Sequence, residues 1–294
     1  MIFIAIPVFN RIEFTCECLE SIRSQIYKEW TVVVCDDGSK DNTTEIIASS
    51  FPEVIILKGN GNLWWTGGTN ECVKFILERA TVNDYIFTLN NDTVLLPETL
   101  NTLIKFGSLH PNSIVACGNY FINDRSRLES TAFIKRFKSP FSEYHLPLYQ
   151  WGEDVSNLKT NVYEVNSVSG KGVLIPVPVF HKVGIYNFEK LPHYHADTEF
   201  TRRANKTGYQ IFLLLDAIIL THQDASGIGQ VNSKLNIAEF FKSFFSLRSE
   251  NYLPSLYNRS RVIYGRKWLL YLVANVISTG TKFLRRYLRS IKMV

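Results

Sequence analysis

Apolar and polar residues alternate in blocks from Ile2 to Leu89. Short apolar runs rich in β-branched residues predict strands, and the segments between them carry the apolar spacing of amphipathic helices. Such an alternation predicts βαβ units and a parallel sheet. The predicted strands cover residues 2–6, 31–35, 54–57 and 85–89, and the predicted helices cover residues 14–25, 41–50 and 69–79.

The pattern changes in the second half of the chain. Residues 119–165 are aromatic and weakly periodic, and they predict a loop-rich middle region. Residues 173–179 predict a strand that Pro176 and Pro178 bend or place at an edge. Residues 211–220 predict a long buried strand. The predicted fold is therefore α/β, with a Rossmann-like, mixed but mainly parallel sheet flanked by helices.

The last part of the chain differs in charge from the rest. The net charge is +5, and the segment from Arg259 to Val294 holds nine basic residues and no acidic one, which leaves 5 − 9 = −4 for residues 1–258. A mildly acidic body argues against nucleic acid as a partner. We divide the chain into a body, residues 1–230, and a basic amphipathic helical tail, residues 231–294.

Two interpretations of this tail stay open. Helices are predicted over residues 236–247 and 268–276, and the second is shorter than the ~20 residues that span a bilayer. Basic residues on both sides of it are typical of a helix that lies on an anionic membrane surface. The alternative is a helical subdomain that packs on the body or on a second copy of the chain.

Cysteine usage predicts a reducing compartment. The chain has five cysteines, an odd number without a CxxC pair, which argues against a disulfide framework or a zinc knuckle. The first residues are apolar without a basic leader, which predicts a first strand and not a signal peptide. We expect a cytoplasmic protein, peripheral on the inner face of the cell membrane if the tail binds lipid.

Four polar clusters follow the predicted strands of the first half. They are residues 7–10, 36–39, 59–62 and 90–92. Each could be a simple turn, because Asn, Asp and Gly favour turns. Ligands of open α/β sheets, however, bind beyond the carboxyl ends of the strands, where such clusters converge. Together they predict a nucleotide-type site.

The same clusters, in order and spacing, resemble glycosyltransferase family 2, whose members have the GT-A fold. The segments that carry the resemblance are IPVFN at 6–10, VVVCDDGSKDNT at 32–43, GNGNLWWTGGTN at 59–70 and FTLNNDT at 87–93. The run from Val168 to Tyr209 is similar to the second half of that family. The resemblance covers about residues 1–225 and implies a nucleotide-diphosphate sugar as donor.

For the metal site, the resemblance implies that Asp92 binds Mg²⁺ or Mn²⁺, and that His222 is a further metal ligand. A hard divalent cation takes carboxylate and phosphate oxygens, and imidazole suits manganese. Asn90 and Asn91 stand where the family has more acidic residues, and they are expected to contact the donor.

For the donor, the resemblance implies that Asp36 or Asp37 accepts a hydrogen bond from the base and that Pro7 lines the base pocket. The alternative for Asp36 is a helix cap. The glycine-rich loop allows close approach to a ligand, and a similar tryptophan-bearing loop is found in bacterial rhamnosyltransferases. The remaining residues expected to bind the donor are Asn60, Gly61, Trp64, Trp65, Gly67 and Arg203.

For catalysis, the resemblance implies that Asp197 is the base that deprotonates the acceptor hydroxyl. Ala196 stands where the family usually has Glu, and Glu199 is the alternative base if the register slips by two residues. We expect an inverting, metal-dependent hexosyltransferase, with L-rhamnose from dTDP-rhamnose as one possible donor. The acceptor would be a saccharide or a polyprenyl-diphosphate-linked saccharide of a bacterial surface polysaccharide. Two other classes fit less well: a nucleotidyltransferase and a non-catalytic module that binds nucleotide sugars.

Overall fold

The computed structural model describes residues 1–129, 131–139, 142–158, 160–222 and 237–292. The predicted boundary between body and tail, at residues 230 and 231, lies outside these ranges. The main sheet has eleven strands among the described residues: β1 (Ile2–Val8), β2 (Trp30–Asp36), β3 (Ile55–Lys58), β4 (Tyr85–Thr88), β5 (Thr93–Leu95), β6 (Ser113–Phe121), β7 (Asp124–Leu128), β10 (Glu153–Asp154), β11 (Val162–Val165), β13 (Val173–Pro176) and β14 (Gln210–Thr221). A smaller sheet holds β8 (Ala132–Ser139), β9 (Ser142–Pro147) and β12 (Ser167–Val168).

The helices flank this sheet, and the last three follow its final strand at the carboxyl end of the chain. They are α1 (Ile12–Arg23), α2 (Thr43–Ser50), α3 (Trp64–Leu77), α4 (Thr99–Leu109), α5 (Val177–Val183), α6 (Ala196–Lys206), α7 (Ile237–Ser243), α8 (Leu253–Tyr264) and α9 (Trp268–Lys292). The α/β class predicted from the sequence, with a mainly parallel sheet and helices after it, is confirmed.

The main sheet has the order β10-β7-β6-β13-β4-β1-β2-β3. Strands β1, β2, β3 and β4 run parallel, as the βαβ pattern requires. β13 runs antiparallel between β4 and β6, and the long β14 pairs parallel with β6. The apolar alternation of each strand divides the core between the two faces of the sheet. Phe87 is fully buried in one layer and Phe200 in the other.

Four sequence predictions were wrong in detail. The helix predicted over residues 268–276 continues to Lys292 as α9. Helix α3 begins at Trp64, five residues before the predicted start at residue 69. The run 173–179 is not one strand, because Pro176 ends β13 and caps α5. The middle region is not loop-rich: β7 and the β8–β9 hairpin occupy it, together with the short β10 and β11. These strands are short or rich in charged residues and lack a regular apolar alternation, so the sequence pattern did not predict them.

The C-terminal helices pack on the body. Asn258 Nδ2 of α8 donates to the Lys190 carbonyl at 3.0 Å, and the Arg202 guanidinium of α6 lies over the Tyr264 ring at 5.2 Å. None of the helices in the described ranges is both long and apolar enough to cross a membrane. All five cysteines lie in described residues and are free thiols, and four of them are buried.

Candidate active site

The carboxyl ends of β1, β2 and β4 meet at one edge of the sheet, and most of the predicted site residues lie there. Asp36 ends β2, and Asn90, Asn91 and Asp92 follow β4. The antiparallel β13 starts at the same edge, since Val173 pairs with Thr88. The segment before it therefore brings the second half of the chain to the same place.

The Asp37 carboxylate organises the glycine-rich loop. It accepts backbone hydrogen bonds from Gly61 at 2.8 Å, Leu63 at 2.8 Å and Trp64 at 3.0 Å. A side chain at Gly59 would lie 2.6 Å from its Oδ1, so only glycine fits there. Trp64 has φ 55°, a left-handed conformation that is strained for a bulky residue and that these bonds stabilise. Asp37 thus sets the start of α3.

Asp36 is engaged within its own turn. Its Oδ1 accepts the Ser39 N–H at 2.9 Å, and its Oδ2 accepts the Thr44 hydroxyl at 2.6 Å. The carboxylate therefore braces the loop between β2 and α2. Each oxygen of a carboxylate can accept a second bond, so the predicted contact with a base is compatible with these partners.

Three other predicted donor residues lie around the same loop. The half-buried Pro7 contacts the start of α3, because a side chain at Gly68 would lie 3.0 Å from its Cβ. A side chain at Gly67 would lie 3.0 Å from Leu63 and Phe188. Asn60 is exposed, and its side chain accepts the Asn62 N–H at 2.9 Å. The loop is packed tightly on the sheet side and open on the other.

Asp92 is buried, with 6% of its surface exposed, and its Oδ1 has no hydrogen-bond partner among the described residues. Its Oδ2 lies 3.9 Å from Arg11 Nη1. A buried carboxylate oxygen without a partner is costly, unless a ligand completes it. That orphaned oxygen fits a divalent cation.

His222 lies next to Asp92, because Thr221 of β14 pairs with Thr93 of β5 and the His222 N–H donates to the Asp92 carbonyl at 3.5 Å. The imidazole Nε2 lies 2.7 Å from a Glu17 carboxylate oxygen of α1. This carboxylate orients the ring and leaves Nδ1 for another ligand. Among the described residues there is no cluster of three or more metal-binding side chains.

The two asparagines before Asp92 are held by other elements. Asn90 Oδ1 accepts the Trp65 indole N–H at 2.8 Å, and Asn91 Nδ2 donates to the Thr15 hydroxyl at 2.9 Å. Trp65 also packs edge-on against Tyr186. Trp64 lies against His193, with ring centroids 5.3 Å apart. Both tryptophans are half-buried and lie between the glycine-rich loop and the second half of the chain.

Asp197 lies in the first turn of α6. Its Oδ2 accepts the Gly170 N–H at 2.8 Å, and its Oδ1 accepts the Thr198 N–H at 2.6 Å. Burial raises the pKa of this carboxyl, while the hydrogen bonds and the nearby Arg259 oppose the rise. Since a base works best with a pKa near the working pH, the direction of this shift suits proton abstraction.

Glu199 and Arg203, the alternative base and a predicted donor-binding residue, form an ion pair on the same helix. Both carboxylate oxygens of the buried Glu199 accept bonds from Arg203, at 3.0 and 3.1 Å. Arg203 also donates to the carbonyls of Val183 and Ile185. Its guanidinium connects α6 to the end of α5, so few of its N–H groups remain for a diphosphate. Both oxygens of Glu199 are thus occupied by Arg203.

The tail contacts the segment that precedes Asp197. The Tyr194 hydroxyl donates to the Arg248 carbonyl at 3.2 Å, and His195 Nε2 lies 3.3 Å from the Glu250 carbonyl. His195, with φ 73°, is the residue before α6. Burial lowers the pKa of His193 to about 4 and that of His195 to about 3, with Arg248 and Arg259 adding to the effect.

Sequence reasoning missed a buried cation beside the site. Lys171 is 9% exposed, lies next to Gly170, and binds Glu129 at 3.0 Å. Burial disfavours its charge, but the carboxylates of Glu129 and Asp92 outweigh burial and raise its pKa. The lysine between two glycines was visible in the sequence, whereas its partner 42 residues away was not.

Comparison with known proteins identifies the family of this chain. The sequence model described as Glycosyl transferase family 2 matches residues 3–155, just over half of the chain. The chain belongs to glycosyltransferase family 2. The family predicted from the sequence is thus confirmed.

Related sequences are described as glycosyltransferases. This chain is 26% identical over 194 residues to an uncharacterized glycosyltransferase of Rickettsia felis, covering 65% of this chain and 29% of that protein. It is 26% identical over 197 residues to one of Rickettsia typhi, covering 66% of this chain and 56% of that protein. The chain thus spans between about a third and about half of the length of these relatives.

Solved structures support the fold. The structure of S. aureus TarS 1-349 matches with a TM-score of 0.55 and 15% identity, covering 97% of this chain and 88% of that one. The structure of GalNAc-T7 with UDP, GalNAc and Mn²⁺ matches with a TM-score of 0.64 and 12% identity, covering 96% of this chain and 51% of that one. At these identities the likeness shows the GT-A fold alone.

Proposed function

We propose that this glycosyltransferase moves a sugar from a nucleoside-diphosphate donor to a hydroxyl of a saccharide acceptor, with inversion at the anomeric carbon. The observation that carries the proposal is the link between two carboxylates. Asp92 follows β4, where Asn90 binds Trp65, and Trp65 packs on Gly170, which donates to Asp197. One continuous set of contacts thus joins a ligand for the leaving group to a base for the acceptor.

Asp197 is the base in this proposal. The acceptor oxygen forms a bond to the anomeric carbon, its proton passes to the Asp197 carboxylate, and the bond to the diphosphate oxygen breaks with its electron pair. The two N–H donors, Gly170 and Thr198, hold the carboxylate in place. The pKa of Asp197, raised by burial, makes the carboxylate a stronger base than an exposed aspartate.

Asp92 and His222 would hold Mg²⁺ or Mn²⁺. Support comes from the orphaned Oδ1 of Asp92 and from the carboxylate that orients His222. A bound divalent cation neutralises the charge that develops on the leaving diphosphate. The donor's own phosphate oxygens would complete its coordination, as is usual for sites with one or two protein ligands. One relative structure, GalNAc-T7, was solved with UDP and Mn²⁺.

For the donor we propose that Pro7, Asp36 and the glycine-rich loop bind the nucleotide, with Asn60 and Gly61 on its open side. The half-buried Trp64 and Trp65 offer aromatic surface next to Asn90. That surface favours a sugar with an apolar edge, such as the 6-deoxysugar L-rhamnose carried by dTDP. The acceptor would be a saccharide, free or linked to a polyprenyl diphosphate, in the synthesis of a bacterial surface polysaccharide.

We further propose that the enzyme is peripheral on an anionic membrane surface through α9. Five large apolar side chains of α9 are exposed and recur with helical spacing: Leu269, Leu270, Val273, Ile277 and Leu284. In the sequence of the same helix, the basic residues are concentrated between residues 282 and 292. This combination is typical of interfacial helices. Self-association through the same apolar stripe is the competing outcome.

A donor screen tests the central proposal. The full chain is mixed with a panel of nucleotide sugars, each with and without Mn²⁺, and its unfolding temperature is recorded. One nucleotide sugar should raise this temperature in a concentration-dependent way that needs the metal. The same donor should then be consumed when a saccharide acceptor is added. If no nucleotide sugar shifts unfolding with or without metal, the proposed function is wrong.

A further inference from the structure

A basic groove lies between α6 of the body and the helices of the tail. It has a volume of about 390 Å³ and is lined by Arg202 and Lys206 of α6, by Arg266 and Lys267 before α9, and by Tyr264 and Tyr271. The two tyrosine rings stack, with centroids 3.4 Å apart. The volume lies within the range of ordinary ligand sites.

The charge of this groove has one sign. Four of its lining residues are cationic, and no carboxylate is among the lining residues in the described part of the chain. Arg202 is 7% exposed, so part of the positive charge is screened poorly by water. A concave surface of this kind concentrates anions.

The groove adjoins a crevice that reaches the first turn of α6. It shares Arg202 and Tyr264 with this narrower crevice of about 10 Å³, which is also lined by Arg259 and by Thr198, the neighbour of Asp197 in α6. The crevice has room for about one water molecule, so an anion would occupy the outer groove. Arg259 lines the crevice and not the outer groove. It favours the ionised form of Asp197, and its buried Nε has no hydrogen-bond partner among the described residues.

We propose that this basic groove binds a phosphate or diphosphate group carried by the acceptor, and so holds the acceptor with its hydroxyl toward Asp197. Guanidinium groups recognise phosphate oxygens through paired hydrogen bonds, and lysines add charge. The inference rests on the proposed glycosyl transfer, because an acceptor site requires that reaction. The tail then contributes to the choice of acceptor, since Arg266 and Lys267 belong to the tail.

Lysine footprinting with pyrophosphate tests the groove without any transfer. The full chain is acetylated in EDTA, which prevents metal-dependent binding of pyrophosphate at Asp92, and labelling of each lysine is followed by mass spectrometry. Pyrophosphate should slow the labelling of Lys206 and Lys267 several-fold. Lys105 and Lys182, which are exposed elsewhere, should label at an unchanged rate.

Arg266→Gln should weaken this protection while leaving both reporter lysines in place. Arg125→Gln, at an exposed arginine outside the groove, removes the same charge and should change nothing. Equal slowing of all four lysines, or protection that survives Arg266→Gln, would overturn the proposal. The footprint needs no donor, so its result does not depend on the donor screen. Failure of the groove proposal is therefore distinguishable from failure of the proposed function.

Footprinting with other compounds distinguishes an acceptor phosphate from a lipid headgroup. Glucose 1-phosphate should protect the two lysines and glucose should not. Protection by vesicles of phosphatidic acid alone, without protection by either soluble anion, would show a membrane site and reject the acceptor assignment. With an acceptor from the donor screen, the phosphorylated form should have the lower KM, and Arg266→Gln should remove that difference without changing the KM of the donor.

Discussion

Trp65 donates its indole N–H to the side-chain oxygen of Asn90 at 2.8 Å. The same indole packs so closely on Gly170 that a Cβ there would lie 2.5 Å from the ring. Trp65 therefore connects the polar cluster after β4 to the loop that holds Asp197. Three parts of the chain that are distant in sequence depend on this one side chain for their relative position.

Trp65→Phe should lower turnover by about tenfold, roughly the effect of losing a buried hydrogen bond at a site that depends on geometry. Phenylalanine keeps an aromatic ring but leaves Asn90 Oδ1 without its donor. Steady-state kinetics measures the change, and Trp151→Phe, at an exposed tryptophan, is the control. Unchanged turnover would mean that the link has no part in catalysis.

Asp197→Asn should reduce turnover by about a hundredfold or more, because the amide keeps the shape but cannot take a proton. Donor binding should persist. In the wild type, turnover should fall as the pH drops through the raised pKa of Asp197, since only the ionised form is a base. A pH–rate profile and single-turnover assays measure both effects.

Glu199→Gln is the matched variant two residues away. It weakens the pair with Arg203, so it should lower the unfolding temperature while the folded enzyme keeps most of its turnover. A dead Glu199→Gln enzyme alongside a nearly normal Asp197→Asn enzyme would assign the base to Glu199.

Asp92→Asn should abolish metal-dependent donor binding and leave the fold intact. The amide removes the charge that attracts the cation, and it replaces an oxygen that has no partner among the described residues. Titration of donor with Mn²⁺ into wild type and variant measures the loss. Asp124→Asn, at an exposed carboxylate of β7 that binds Arg127, serves as the control. Full wild-type activity in EDTA would contradict the metal role.

Replacing Leu269, Val273 and Ile277 of α9 by glutamine should release the enzyme from vesicles that contain phosphatidylserine. Wild-type binding should weaken in high salt, because screening reduces the attraction of basic residues to the surface. Cosedimentation measures the bound fraction. The control replaces Ile26, Val82 and Leu109, which are exposed apolar residues of the body. Equal binding of all three proteins would reject the membrane proposal.

Substitution is a better test here than truncation. Cutting the chain before Arg259 would remove Tyr264, over which Arg202 lies, together with part of the groove. Loss of activity in such a fragment would not separate membrane binding from damage to the site. Light scattering on the full chain tests the competing outcome, self-association through the α9 stripe.

Acid should destabilise the enzyme through His195, whose pKa burial lowers to about 3 from 6.5. The unfolded chain binds a proton below pH 6.5 and the folded chain does not, so stability is lost as the pH falls through this window. His195→Asn, which tolerates the left-handed backbone, should reduce the loss between pH 7 and pH 5 by up to about 2 kcal/mol. Urea unfolding at the two pH values measures it. An unchanged loss would mean that His195 has the same pKa in the folded and unfolded states, and so takes up its proton in both.

The parts of the fold that depend on local pattern were predictable from the sequence. The buried β-branched runs gave β1, β2 and β4 within two residues at each end, and the polar clusters after them meet at one edge. The start of α3 was not predictable, because Asp37, 27 residues earlier, accepts the Trp64 N–H that fixes it. The same holds for Arg203, whose partners at Val183 and Ile185 come from another element.

The position of β13 has a consequence for synthesis on the ribosome. This strand lies between β4 and β6 and runs antiparallel to both, so the centre of the sheet cannot close until Pro176 has emerged. Until then β4 and β6 each present an unpaired edge, which is prone to bind other chains. A fragment that ends at residue 155, where the family match ends, would lack β13 and β14 and should aggregate rather than fold. Nascent chains of this enzyme should therefore need a chaperone until the second half arrives.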